Sequence, residues 1–173
     1  MLAVFQHSLT TTSVIMMIPT VVLIIALGPG KEAFRADYPQ DIQQLLSAPT
    51  AAQRRSGILW GALFMVSLIL AMTATTWLFL TNHDADIATT YLVALLAEIV
   101  FLIYDLVIVD WLVICTMKPR WVLIPGTEHC AGWSDYGFHF KQLLQLKVLA
   151  ANVLIAVLPA ALAFALHSAT STH

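Results

Sequence analysis

Four stretches of this chain, residues 9–27, 58–80, 89–117 and 143–166, are each long and apolar enough to cross a bilayer, and this limits its possible folds more than any other feature. A transmembrane helix needs about 20 mostly apolar residues to traverse roughly 30 Å of hydrocarbon. In that medium each backbone amide must find its partner within the segment, so each stretch is expected to be helical. The second is the cleanest, with no charged residue from Gly57 to Leu80. The first lacks the basic start of a secretory signal, because no Lys or Arg precedes Lys31, and reads as a retained helix. Apolar types make up 60% of the 173 residues and charged types 10%, whereas soluble domains run at about 45–50% and about 25%. The expected fold class is an all-α integral membrane protein, a four-transmembrane-helix bundle forming one domain over 1–173, in the plasma membrane.

The eight Lys and Arg residues orient the bundle. Lys31, Arg35, Arg54 and Arg55 lie between the first two stretches; Lys118, Arg120, Lys141 and Lys147 lie between the last two or at the start of the fourth. The positive-inside rule then places loops 28–57 and 118–139 in the cytoplasm, and both termini and the acidic turn at Asp84 and Asp86 outside. Cys115 and Cys130 fall at the cytoplasmic side and are expected as reduced thiols. Two cysteines cannot staple a chain of this size, and a net charge of −2 offers no basic surface for nucleic acid.

The first loop opens with Gly28-Pro29-Gly30, which stops helix one, and continues into a short predicted helix over 39–46. Pro39 suits its first position, Asp41 its positive dipole end, and Ile42, Leu45 and Leu46 share a face. Such a helix is expected at the membrane surface, as a connector or a docking point for a cytoplasmic partner. In the second loop, Trp121, Trp133, Tyr136, Phe138 and Phe140 suggest an interfacial aromatic belt. Glu128, His129, Asp135 and His139 supply enough N and O donors for one transition metal, or for acid–base chemistry on a lipid-like or quinone-like substrate. Their spacing matches no HExxH, CxxC or paired-histidine pattern, so the same residues also read as ordinary polar loop positions.

Helix three carries the most informative residues, Glu98, Asp105 and Asp110. On insertion scales an acid near the bilayer centre costs about 2.5–3.5 kcal/mol, while each Leu, Ile, Val or Phe returns about 0.3–0.6. Three acids therefore cancel nearly all that the apolar residues between Tyr91 and Val113 contribute. They must face other helices, water or a bound cation, or be held protonated. At about 100° per residue, Glu98 and Asp105 fall within about 20° of each other and about 10 Å apart along the axis, while Asp110 lies about 140° from Asp105. Depth counting sets Asn152 and Ser67 level with Asp105, and Lys147 level with Asp110.

Two expectations follow. Asp110 and Lys147 form a structural ion pair. Glu98 and Asp105, with Asn152 and Ser67, form a hydrogen-bonded tie between helices, an ion-binding site where a proton or small cation is bound or relayed, or a contact with another subunit. Pro19 and Pro159 are expected to kink helices one and four, chiefly for packing. The histidines His7, His83, His129, His139, His167 and His173 all lie in loops or near helix ends, which disfavours bis-histidine haem ligation across the bundle. With no Walker, GxGxxG or nucleophile-elbow motif, no cofactor is named by the sequence. Four helices make a thin wall for a complete carrier, so a homo-oligomer or other membrane subunits are expected around it in the lipid bilayer.

Overall fold

The computed structural model describes residues 2–170; the extreme terminal residues, expected outside the cell, lie beyond them. Among the described residues the fold is entirely helical. α1 spans Leu2–Gly30, α2 Gln40–Leu45, α3 Ala51–Leu80, α4 Ile87–Tyr104, α5 Tyr136–Leu143, α6 Leu146–Ile155 and α7 Val157–Thr170. Asp105–Met117 continues α4 as a π-helix, and short 3₁₀ turns occupy Arg35–Asp37 and Ala131–Ser134.

Four helical spans, Leu9–Gly30, Ala51–Leu80, Ile87–Met117 and Leu146–Thr170, are long and apolar enough to cross a membrane. Between 22% and 33% of the positions in their most apolar windows are buried, so most of their apolar surface faces outward, as a bilayer would require. The second and third spans begin earlier than their hydropathy limits because polar caps extend them. Thr50 and Gln53 form a reciprocal capping box at the start of α3, with Gln53 N–H donating to Thr50 Oγ1 at 3.3 Å and Thr50 N–H to Gln53 Oε1 at 2.8 Å. Asp86 Oδ1 accepts from Thr89 N–H at 2.8 Å and opens α4.

α1, α3, α4 and α7 pack into a bundle. Its core is built from Met16, Leu68, Met72 and Phe101 with Ala71, Ala94, Ala97, Ala156 and Ala160. Small residues at these positions let backbones approach closely, which is how helices gain contact energy in an apolar solvent. Gly57 serves the same end: a Cβ there would collide with that of Ala33. Pro19 lies inside α1, whereas the fourth span breaks at Ala156, three residues before Pro159.

A second core sits at the loop end and was not expected. Trp133, Val122 and Ile124 from the second loop are buried with Tyr38 and Ile42 from the first and Val109, Val113 and Ile114 from the π segment. Trp133 Nε1–H donates to Thr127 O at 2.9 Å, and Tyr38 lies against its ring at 5.4 Å between centroids. Asp41 Oδ2 accepts from Gly132 N–H at 2.8 Å, and Lys31 Nζ donates to Trp121 O and Leu123 O. The expectation of an aromatic belt is therefore corrected at Trp133, which is a core residue; Trp121, Tyr136 and Phe140 remain exposed. The short helix forms as α2, but Pro39 is its N-cap rather than its first residue, and Ile42 is buried against protein.

Candidate functional site

A cavity of about 670 Å³ runs from the middle of the bundle to the loop end, between α1, α3, α4 with its π extension, α5 and α6. Glu98, Asp105 and Asp110 all line it. The first two were expected on one stripe, but Asp110 was placed on another face. The π segment accounts for the difference. Its hydrogen bonds span five residues rather than four, so positions four and five apart share a face. Asp105, Val109, Asp110 and Ile114 accordingly all reach the cavity, continuing the stripe of Glu98, Phe101 and Leu102 from the α-helical half. The wider turn is visible where it ends: Lys118 N–H donates to Val113 O at 3.0 Å, and Lys118 closes the segment in the left-handed region at φ 47°.

Glu98 is 1% exposed, and its Oε2 has no hydrogen-bond partner among the described residues. Asn152 on α6 lines the same cavity and leaves Nδ2 unpartnered, and Asp105, half-buried, belongs to the same lining. Ser67 departs from the expected set. Its hydroxyl donates to Phe64 O at 2.7 Å, satisfied by its own helix, and it is absent from the cavity wall.

The ion pair is also corrected. His139 Nδ1, on α5, stands 3.1 Å from Asp110 Oδ1, and Lys147 makes no such contact with Asp110. Helix four begins only at Leu146, so Lys147 sits in its first turn with an exposed side chain, while α5 carries His139 back against the π segment. Lys147 still lines the mouth of the cavity, beside Asp37. Although the Asp37 side chain reaches solvent, the protein crowded around it raises its carboxyl above the ordinary range; Asp110 adds to that and Lys147 opposes it. Burial likewise holds the Tyr38 phenol neutral and above its usual range, with Asp37 and Glu32 reinforcing the effect. Asp37 and Tyr38 escaped the sequence reading because nothing in a polar loop indicates that it folds back onto the bundle.

The four second-loop donors do not assemble. Among the described residues no three of His, Cys, Asp and Glu are grouped to hold a metal. Each donor but one has a local task instead: Glu128 Oε2 accepts from Gly126 N–H, Asp135 Oδ1 caps α5 through Phe138 N–H, and His139 pairs with Asp110. His129 is exposed. Cys115 and Cys130 are free thiols, the first buried and the second partly so.

What the cavity can do chemically follows from its lining. Carboxyl groups are spaced along an otherwise apolar passage, with an unpaired one at its deep end and a histidine and a lysine toward the loops. Such an arrangement can accept, hold and pass positive charge. Comparison with known proteins finds no matching family model, no similar curated protein and no similar solved structure.

Proposed function

We propose that this chain is a small four-helix membrane protein that binds or relays protons or a small monovalent cation along the cavity, as a transporter-like unit or as a subunit of a larger membrane assembly. Glu98 and Asp105 are the inner stations, and Asp110 with His139 lead toward the cytoplasmic loops. The observation that carries this reading is Glu98, 1% exposed, with an unsatisfied oxygen at the inner end of the cavity. A purely structural acid would have its hydrogen bonds met by neighbouring helices, since an unmet buried polar group costs about 1–3 kcal/mol. An acid that must exchange a proton or ion keeps one face free. The one-sided distribution of Lys and Arg supports an orientation with the loops inside and both termini outside. The broad outward apolar surface leaves room for further copies or other subunits.

The test is flux in proteoliposomes under an imposed membrane potential, followed by an internal pH dye for protons and by Na+- and K+-sensitive dyes for small cations. Glu98→Gln and Asp105→Asn keep the size and hydrogen-bonding capacity of a protonated acid, so both variants should stay folded and lose flux. Flux that is the same in the unmodified protein and both variants, zero included, overturns the reading.

A further inference from the structure

The size and lining of the cavity say more about its occupant than the charge of the acids does. A dehydrated inorganic cation needs several oxygens converging on one point. Here the carboxyls of Glu98, Asp105, Asp110 and Asp37 are distributed along the passage, and among the described residues no three acidic or other metal-ligating side chains come together. The volume, about 670 Å³, falls within the roughly 300–1,000 Å³ that holds a drug-sized organic molecule. Its wall is mostly apolar, and Phe64 and Phe101 present rings 5.5 Å apart on α3 and α4 close to the level of Glu98. Aromatic faces attract organic cations as well as apolar groups. Three further polar atoms of the lining are unmet: the Tyr38 hydroxyl, Nε2 of His139, a residue 8% exposed, and Nδ2 of Asn152.

We infer that the cavity binds a monovalent organic ammonium ion with an apolar body, its charged head held by Glu98 and Asp105 and its body against Phe64 and Phe101. This rests on the proposed cation-handling role and specifies the class of cation. A compact head with a hydrophobic body satisfies both halves of the wall. A bare ion would leave most of the cavity unfilled, and a neutral lipid chain would leave the inner carboxyls without a counter-charge. Entry from the loop side passes Asp37, whose charge favours a cation, and Lys147, whose charge limits the approach.

The probe is benzyltrimethylammonium, whose charge cannot be titrated away, measured by equilibrium dialysis against the full chain in lipid nanodiscs with empty discs as the blank. The expected result is saturable binding that excess neopentylbenzene, its neutral isostere, fails to displace. Binding should weaken about tenfold or more in Glu98→Gln, a loss of about 1.4 kcal/mol, and also in Asp105→Asn, while Lys147→Ala binds as tightly or more tightly. The comparison of charged and neutral probes needs no variant, so it stands even if a substitution fails to fold. Absence of saturable binding, displacement by the neutral isostere, or unchanged affinity in both amide variants overturns the inference. If ammonium binding is absent while flux still depends on Glu98, only the ammonium is refuted; if neither depends on Glu98, the proposed function falls with it.

Discussion

Replacing Asp110 or His139 separately should cost far more than replacing both together. The two groups meet at 3.1 Å with side chains 20% and 9% exposed. Measured charge-assisted hydrogen bonds contribute about 1.5–3 kcal/mol. In Asp110→Leu, His139 is left with neither ring nitrogen bonded, because Nε2 already lacks a partner. In His139→Phe, the carboxylate keeps only the cavity to solvate it. Each single variant should therefore lose about 1–3 kcal/mol, or roughly 2–4 °C of melting temperature for each kcal/mol in a chain of this size. The double variant should recover much of that loss, giving a coupling of about 1–3 kcal/mol. Thermal unfolding of the four proteins in detergent completes the cycle. Asp110→Leu with Lys147→Ala provides the contrast: its coupling should be the smaller of the two, since those side chains are not in contact and meet only through Asp37. Additive losses for Asp110 and His139, or strong coupling to Lys147 instead, would refute the pairing drawn here.

Gly132→Ala should loosen the packing of the two loops at a cost of about 1–3 kcal/mol, because the new Cβ would collide with Asp41 Oδ1 and lie 2.7 Å from Pro39 Cβ; faster labelling of Cys130 by a maleimide would register the opening. Asp37 binds its proton more tightly in the folded chain than its ordinary value of 3.8 allows, so the folded state holds more protons than the unfolded one above that pH. Stability should therefore fall as pH rises from 3.8 through the raised folded value, and Asp37→Asn should flatten the curve and melt higher at neutral pH. With Cys115 and Cys130 replaced, a cysteine at exposed Asp84 should react with an impermeant maleimide from outside and one at exposed Arg54 only from inside; the reverse pattern would invert the orientation.

By itself the sequence determined the class of fold and the residues worth watching. Long apolar runs can satisfy their backbones in lipid only as helices, so four spans were legible from composition alone. Glu98 and Asp105 stood out because a carboxyl in hydrocarbon is costly wherever it points. Tertiary structure decided the rest. An almost uniformly apolar run has no polar face to record its period, so nothing in Asp105–Met117 revealed that the helix widens there and turns Asp110 toward the other acids. The partner of Asp110 was misjudged for a related reason: depth counting treats helices as straight rods, whereas α5 folds His139 back against the π segment before the last span begins. Ser67 was level with the acids but spent its hydroxyl on its own helix. The second core at the loop end depends on contacts between residues some 90 positions apart, such as Asp41 and Gly132. Such contacts leave no local pattern, because the free energy that forms them comes from burying surfaces that meet only after the bundle has assembled.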